Sequence, residues 1–279
     1  MKGKHPRGQL VIVGGAEEKK RNPEILREFV RLAKGEEARI AVITVATSEP
    51  KEAGEEYTKA FNELGVKDVR VIGVENREQA HDPESLKAIE QATGIFFTGG
   101  DQLRITTLLG GTPMDTLLHQ CYEQGAILGG TSSGASMMSC TMMISGRGEE
   151  HPSLSAVELS PGMKFIEGPI IDQHFAQRGR IGRLLAAVAR HPQKLGVGID
   201  ENTAMVVNNG RFTVLGEGAV TVVDAKGMAY TNVHESSDGE GLALFGLQLH
   251  VLPATHCFDL ERRAPLVPDV VPSSEGGER

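Results

Sequence analysis

The first half of the chain alternates short apolar runs with amphipathic segments. The run "ARIAVITVAT" is rich in β-branched residues and lacks polar alternation, which is typical of a strand covered on both faces. Before it, "NPEILREFVRLAKG" places Ile25, Phe29 and Leu32 on one face of a helix that begins at Asn22-Pro23. The alternation continues through "VRVIGV", "GIFFTGG" and "AILGG". This order predicts an α/β fold in which helices cover both faces of a mostly parallel central sheet.

Several of the apolar runs end in paired glycines. The pairs are Gly14-Gly15, Gly99-Gly100 and Gly129-Gly130. In open α/β sheets, ligands bind beyond the carboxyl ends of the strands. We therefore expect the three glycine pairs to gather along one edge of the sheet and to frame a site there.

The second half of the chain follows a different pattern. A basic helix is predicted from Arg178 to Arg190. From Leu195 onward, short apolar runs separated by glycine or Asn-Gly predict antiparallel hairpins. The last residues, "APLVPDVVPSSEGGER", are typical of a loose tail. The predicted organisation is a single domain over residues 1–263 and a C-terminal tail over residues 264–279.

Charge and cysteine usage exclude several classes of protein. The 279 residues include 29 Lys and Arg against 37 Asp and Glu, a net charge of −8, which argues against a nucleic-acid partner. The apolar run Leu10 to Val13 is too short for a signal peptide, and no stretch approaches a membrane span, so a cytoplasmic location is expected. Cys121, Cys140 and Cys257 have no metal-type spacing, and we expect three reduced, mostly buried thiols.

The stretch "GGTSSGASMMSCTMM" carries the clearest chemical motif. Gly130 to Gly134 fits G-x-S-x-G, with a strand before it and a predicted helix behind it. In such an elbow Ser132 is the nucleophile, and Ser133 donates its backbone N–H to an oxyanion. A glycine-serine turn without chemistry has the same local sequence, so the motif needs a base and an orienting group elsewhere.

Candidates for these two groups lie at the ends of predicted strands. His174 follows the apolar "PII", and Glu201 lies in "LGVGIDENTAMVV", between two apolar runs. A Ser, a His and a carboxylate can together form a proton-relaying triad. The neighbouring Asp200 competes for the third position, and a histidine beside Asp172 is also compatible with a purely structural role.

The chain resembles the cyanophycinase family of serine peptidases, which is related to peptidase E. The matching segments are "VIVGGAEEK", "GIFFTGGDQLRIT", "LGGTSSGASMMS", "IIDQHFAQRGRIGRL" and "GVGIDENTA". The resemblance implies a three-layer α/β/α fold like that of class I glutamine amidotransferases. It implies exo-acting hydrolysis of cyanophycin, a poly-aspartate carrying arginine on each side-chain carboxyl, to β-aspartyl-arginine. It further implies a homodimer and no metal or organic cofactor.

Carried over by position, the resemblance implies roles for individual residues. Ser132 matches the nucleophile, His174 the base and Glu201 its partner. The family commonly has alanine where this chain has Ser133, and we expect activity to survive because the backbone N–H is kept. The positions that match the substrate pocket are Gln102, Asp172, Gln173, Arg178, Arg180 and Arg183.

The residue types fit such a substrate. Guanidinium groups bind carboxylates bidentately, so the three arginines after His174 are expected to hold the aspartyl units. A second oxyanion donor is expected on the Gly99-Gly100-Asp101 turn, from Gly100 or Asp101. Asp172 or Asp101 is expected to hold the arginine side chain of the substrate.

Other functions remain open from the sequence. An aspartyl or isoaspartyl dipeptidase of the same fold would act on short peptides instead of the polymer. A glutaminase would require cysteine at the elbow, and a binding protein on a degenerate hydrolase fold would be expected to lack one of the three triad residues. The glycines of "VIVGGAEEKKR" lack the spacing of a nucleotide-binding loop.

Overall fold

The computed structural model describes residues 8–146, 151–237 and 239–266. Its helices, in chain order, are α1 (Glu24–Leu32), α2 (Pro50–Glu63), α3 (Pro83–Glu90), α4 (Gln102–Leu109), α5 (Pro113–Gln124), α6 (Ser133–Ser136) and α7 (Ile181–Arg190). Its strands are β1 (Leu10–Val13), β2 (Arg39–Ile43), β3 (Asp68–Ile72), β4 (Gly94–Phe97), β5 (Ile127–Thr131), β6 (Thr141–Ser145), β7 (Glu158–Pro161), β8 (Pro169–Gln173), β9 (Leu195–Ile199), β10 (Thr203–Asn208), β11 (Arg211–Gly216), β12 (Ala219–Asp224), β13 (Tyr230–Thr231), β14 (Leu244–Phe245), β15 (Gln248–Pro253), β16 (Cys257–Asp259) and β17 (Ala264–Leu266).

The central sheet has nine strands in the order β17-β16-β11-β10-β1-β5-β4-β2-β3. The five strands from β1 to β3 in this order pair in parallel, and β10, β11, β16 and β17 continue the sheet in antiparallel pairs. Helices α1 and α2 pack on one face, where Phe96 contacts Phe29 and Phe61. Helices α3, α4 and α5 pack on the other face. The predicted three-layer α/β/α fold with C-terminal antiparallel strands is confirmed.

A second sheet carries the order β15-β12-β9-β8. Strands β8 and β9 are parallel and are connected through α7, while β12 and β15 add to them in antiparallel pairs. Leu184 and Val188 of α7 are fully buried against this sheet. The elements that carry His174 and Glu201 thus belong to a sheet separate from the one that carries Ser132.

The glycine pairs gather as predicted. Gly14-Gly15 follows β1 and Gly99-Gly100 follows β4, while Gly129-Gly130 lies inside β5, which is the strand between them. A Cβ on Gly129 would lie 2.6 Å from the Phe96 ring, so the absence of a side chain at Gly129 lets this ring pack closely against β5.

Several predicted boundaries differ from the structure. Helix α7 begins at Ile181, three residues after Arg178, because Gly179 with φ 58° interrupts the preceding turn. The helix behind the elbow is only the four residues of α6, since the following Met-rich segment turns into β6. At the C-terminus, residues 264–266 form β17 instead of a loose tail, and residues 267–279 lie outside the described residues. Within the described part of the chain, no helix has the length and apolarity needed to cross a membrane.

Candidate active site

Ser132 lies in a sharp turn between β5 and α6. Its backbone has φ 52° and ψ −110°, a region in which non-glycine residues are strained by about 1–3 kcal/mol. The Ser132 amide donates a hydrogen bond to the carbonyl of Val13, 3.0 Å away. Glycine is required on both sides, because a Cβ on Gly130 would lie 2.3 Å from the oxygen of Gly134, and one on Gly134 would lie 2.6 Å from the oxygen of Phe97. The turn has the form of a nucleophile elbow.

His174 follows β8 and reaches Ser132 from the second sheet. Its Nε2 lies 3.0 Å from the hydroxyl of Ser132, and its Nδ1 lies 2.5 Å from Oε1 of Glu201. The backbone of His174 also has a positive φ of 48°, and its amide donates to the carbonyl of Gly14 at 2.7 Å. With Nδ1–H donating to the carboxylate, Nε2 is the atom that can accept the serine proton.

Glu201, and not Asp200, is the carboxylate that contacts the imidazole. Glu201 follows β9, and its amide donates to Oε1 of Gln177 at 3.0 Å. The two carboxylate oxygens of Asp200 accept the amides of Ala176 and Ala219 at 3.0 and 3.1 Å. Asp200 therefore fixes two turns beside the site, which resolves the alternative that the sequence left open.

The electrostatic surroundings favour a neutral imidazole. Burial lowers the pKa of His174 below its ordinary value, and the positive charges of Arg178 and Arg180 act in the same direction. The hydrogen bond to Glu201 opposes this shift without overcoming it. At neutral pH the ring is therefore unprotonated and able to act as a base.

Asp172, Arg180 and Arg183 form a buried ionic cluster. Asp172 is fully buried and accepts both Nε, at 2.7 Å, and Nη2 of Arg183, while Nη1 of Arg180 lies 3.4 Å from the same carboxylate. Arg183 also donates to the carbonyl of Gly146 at 3.1 Å. Burial lowers the pKa of Arg180 to about 10, against the pull of Asp172.

This cluster corrects part of the predicted pocket. The sequence predicted that Arg180 and Arg183 present open guanidinium forks and that Asp172 is available to a substrate arginine. In the structure these groups bind one another, because a charge removed from water needs a partner. One carboxylate balances only one of the two guanidinium groups, so the cluster keeps a net positive charge behind the site.

The other predicted pocket residues are differently placed. Arg178 is exposed and forms no ion pair with a described residue, and its amide donates to the carbonyl of His174 at 3.1 Å. The side-chain oxygen of Gln173 accepts Nη1 of Arg180 at 3.0 Å and lies 3.4 Å from Oγ of Ser132. Gln102 is the first residue of α4, and its side-chain Nε2 donates to the carbonyl of Met143 at 2.6 Å.

Of the three amides predicted as oxyanion donors, those of Ser133, Gly100 and Asp101, two are free to play that role. The amide of Asp101 already donates to the carbonyl of Ala46 at 2.9 Å, so in this structure it is not free to donate to an oxyanion. Oδ1 of Asp101 accepts the amide of Leu103 as the cap of α4, and the predicted binding of a substrate arginine by Asp101 stays a prediction. The amides of Ser133 and Gly100 have no acceptor among the described residues. The hydroxyl of Ser133 donates to the carbonyl of Gly100 and so links the elbow to this turn.

The sequence placed the turn after β1 at the edge of the sheet but did not show that this turn supports His174. Gly15 has φ 106°, and a Cβ there would lie 2.3 Å from Cε1 of His174. The carbonyl of Gly15 accepts the amide of Asn202 at 2.9 Å, and Oδ1 of Asn202 accepts the amide of Glu18 at the same distance. The glycine pair at the end of the central strand was the available signal, but its spacing did not show which side chain it would support.

Comparisons with known proteins identify the family of this chain. The family model described as peptidase family S51 matches residues 10–215. A cyanophycinase of Synechococcus elongatus is 42% identical over 256 residues, covering 91% of this chain and 80% of that protein. A cyanophycinase of Geminocystis herdmanii is 41% identical over 248 residues, covering 88% of this chain and 91% of that protein.

A solved structure has the same fold. The crystal structure of a peptidase from an acI-B1 Actinobacterium superposes with a TM-score of 0.67 at 20% identity, covering 91% of this chain and 98% of that one. At that identity the match concerns the fold alone. The family model covers most of the chain, including the elbow, His174 and Glu201, and the relatives align over nearly all of it. The chain belongs to peptidase family S51.

Proposed function

We propose that this chain is a serine exopeptidase that hydrolyses cyanophycin to β-aspartyl-arginine through an acyl-enzyme. One observation carries the proposal, which is the hydrogen-bonded series from Ser132 through His174 to Glu201, with distances of 3.0 and 2.5 Å. The sequence identity of 42% and 41% with two proteins named cyanophycinase supports the choice of substrate.

The proposed reaction proceeds in two halves. Oγ of Ser132 attacks the backbone carbonyl carbon of the terminal unit, and its proton passes to Nε2 of His174. The tetrahedral intermediate collapses, the C–N bond breaks, and His174 gives the proton to the leaving amine. Water, deprotonated by the same imidazole, then attacks the ester carbonyl. The ester C–O bond breaks, the dipeptide is released, and His174 returns the proton to Oγ of Ser132. Glu201 keeps the proton of the ring on Nδ1 and stabilises the imidazolium that forms transiently.

The oxyanion is held by the amides of Ser133 and Gly100 in this proposal. Each such donor is worth about 3 kcal/mol in comparable acyl-transfer enzymes. Helix α6 has only four residues, so these local N–H groups, and not a long helix dipole, supply the positive field.

Substrate carboxylates are assigned to Arg178 and to the field of the buried cluster. Arg178 is the exposed guanidinium next to His174, whereas Arg180 and Arg183 act through the excess positive charge that they share with Asp172. Oε1 of Gln102 accepts no hydrogen bond from a described residue and can accept a main-chain N–H of the substrate. The same few contacts would also suit a short aspartyl peptide.

A parallel assay separates the two substrate classes. Purified protein is incubated with insoluble cyanophycin and, separately, with aspartyl and isoaspartyl dipeptides, and the soluble products are identified by mass. Release of β-aspartyl-arginine from the polymer, with at most slow cleavage of the dipeptides, is expected. The reverse preference would make the chain a dipeptidase, and no cleavage of either would overturn the proposal. Ser132→Ala is the matched inactive control.

The proposal includes a single catalytic domain, a cytoplasmic location and a homodimer. The sequence predicted the domain over residues 1–263, and strand β17 extends it to Leu266. The location and the dimer follow from the resemblance to the cyanophycinase family and not from a contact in the structure. Sedimentation equilibrium of the purified chain tests the dimer, and fractionation of cells that produce it tests the location. A monomeric mass across a range of protein concentrations would remove the dimer from the proposal.

A further inference from the structure

A buried carboxylate lies next to the elbow and takes no part in the proposed chemistry. Glu17 is only 4% exposed. Its Oε2 accepts the hydroxyl of Thr131 at 2.5 Å, and its Oε1 accepts the hydroxyl of Tyr57. Thr131 directly precedes Ser132, and Tyr57 lies in α2, so one side chain joins the elbow to a helix of the outer layer.

The surroundings of Glu17 hold it in this position. Nζ of Lys19 lies 3.6 Å from Oε1 of Glu17 and 4.9 Å from the centre of the Tyr57 ring, so a positive charge lies beside the buried carboxylate. Burial and the negative charge of Glu17 raise the pKa of Tyr57 well above its ordinary value, so its hydroxyl keeps the proton that it donates. Burying a carboxylate costs free energy unless its oxygens accept hydrogen bonds, so Glu17 is stable in this position only while these bonds are made.

The segment that carries Glu17 also supports the base. Two residues earlier, Gly15 lies directly beneath the imidazole of His174, and Gly14 accepts the amide of His174 at 2.7 Å. One residue later, the amide of Glu18 donates to Asn202, which follows Glu201. Glu17 therefore links the residue before the nucleophile to the short segment on which the base rests.

We propose that Glu17 is a positioning residue that fixes the elbow relative to the Gly14-Gly15 turn and so sets the distance between Ser132 and His174. This inference rests on the proposed serine-peptidase function. The bond to Thr131 is the part that acts on catalysis, because it constrains the peptide next to Ser132. The bond to Tyr57 anchors the carboxylate to α2 and acts on stability.

The first test replaces Glu17 by an isosteric neutral side chain. In Glu17→Gln, one of the two hydroxyls must turn from donor to acceptor, which loosens the elbow. We expect kcat to fall about tenfold or more with KM changed less than about threefold, since the substrate-binding groups are untouched. The rate of Ser132 labelling by a fluorophosphonate should fall in the same proportion. An unchanged labelling rate in a folded Glu17→Gln protein would overturn the proposal.

A second set of variants separates positioning from stability and covers the case in which Glu17→Gln fails to fold. Thr131→Val removes the hydroxyl without changing shape and should lower kcat and the labelling rate about tenfold, whereas Thr131→Ser should restore both. Tyr57→Phe, the matched control on α2, should lower the melting temperature and leave kcat within about twofold. Equal kcat values in Thr131→Val and Thr131→Ser, or a larger loss of kcat in Tyr57→Phe, would contradict the assignment.

The labelling assay also distinguishes this inference from the function on which it depends. If wild-type protein is labelled at Ser132 but cleaves neither polymer nor dipeptide, the substrate assignment fails while the role of Glu17 is still measured by labelling. If wild type cleaves cyanophycin and Glu17→Gln is labelled and turns over like wild type, only the positioning role fails.

Discussion

At the scale of single residues, the hydroxyls of two adjacent serines have different hydrogen-bond partners. The hydroxyl of Ser132 faces the imidazole, whereas that of Ser133 donates to the carbonyl of Gly100. Only the first can be deprotonated by a base. The second contributes a backbone amide and a hydrogen bond worth about 1 kcal/mol.

Exchanging each serine for alanine tests this register. Ser132→Ala should reduce kcat at least about 10³-fold, while Ser133→Ala should keep it within about fivefold and lower the free energy of unfolding by about 1 kcal/mol. Peptide release under saturating substrate and urea titration measure the two effects. The opposite order of activities would assign the nucleophile to Ser133.

The pH dependence of activity should report His174. A base acts when it is unprotonated, so kcat/KM should rise with pH as the ring loses its proton. Burial lowers the pKa of His174, so the inflection is expected below the ordinary value of about 6.5. In Glu201→Gln the bond that raises this pKa is weakened, so the inflection should move lower still, with kcat reduced by about 10²–10⁴-fold. An inflection above 7 in wild type would contradict the assignment of the base.

Much of the site could be predicted at this scale, and the reasons for the failures are physical. Ser132, His174 and Glu201 each follow an apolar run, and the structure brings their side chains together, while their catalytic roles stay predictions. The sequence did not show that Asp172 would be buried between Arg180 and Arg183, because ion pairing depends on which side chains lose water. It also did not show that Ala46 takes the amide of Asp101, a contact between two different βα turns.

At the scale of elements, the turn after β1 supports both the backbone and the ring of His174, and the backbone of Asn202. It accepts the amides of His174 and Asn202 through consecutive carbonyls, and its second glycine fills the space beneath the imidazole. Such a turn has no room for a side chain. The central strand therefore ends in a surface that the base can rest on.

Alanine at Gly15 should separate this packing effect from simple backbone strain. Gly15→Ala places a methyl group against the ring, so both kcat and stability should fall, kcat by about tenfold or more. Gly65→Ala is a matched control, because Gly65 also has a positive φ, of 90°, but nothing lies within 4 Å of its Cβ position. It should cost about 1–2 kcal/mol of stability and leave kcat unchanged. Equal losses of kcat in the two variants would remove the packing role of Gly15.

The elements themselves were largely predictable, but their assignment to sheets was not. Apolar runs without alternation predicted the parallel strands, and Asn209-Gly210 predicted the turn that joins β10 to β11. The unit β8-α7-β9 has the same sequence pattern as the units of the central sheet, since both are parallel strands joined by a helix. Its position in a second sheet depends on antiparallel pairing of β9 with β12, which a local pattern does not encode.

At the scale of the whole molecule, an arginine near the C-terminus connects the last strands to the second sheet. Nε of Arg263 donates to Asp224 at 2.7 Å. Its Nη1 and Nη2 donate to the carbonyls of Gln193 and Lys194 at 2.8 and 3.2 Å. Burial alone would raise the pKa of Asp224, but the hydrogen bonds from Arg263 and Lys226 hold it below its ordinary value. Stability from this contact is therefore present above the unfolded pKa of about 3.9 and is lost as the pH falls through the lower folded value.

Neighbouring arginines provide the test of this connection. Arg263→Ala should lower the free energy of unfolding at pH 7 by about 1–3 kcal/mol, because it leaves the carboxylate of Asp224 without its main partner. Arg262→Ala, whose side chain is 75% exposed, should change it by less than about 0.5 kcal/mol. Urea denaturation followed by circular dichroism measures both. A loss in Arg262→Ala as large as in Arg263→Ala would show that general charge, and not this contact, matters.

The division of the site between two sheets has a consequence for how the enzyme stops working. Ser132 follows a strand of the nine-stranded sheet, whereas His174 and Glu201 follow strands of the four-stranded one. Each sheet keeps its own hydrogen bonds if the two slide apart, yet a shift of about 1 Å between reacting atoms costs about a hundredfold in rate. Turnover therefore depends on how the two sheets are packed against each other, and a denaturant concentration too low to unfold either sheet should already inactivate the protein.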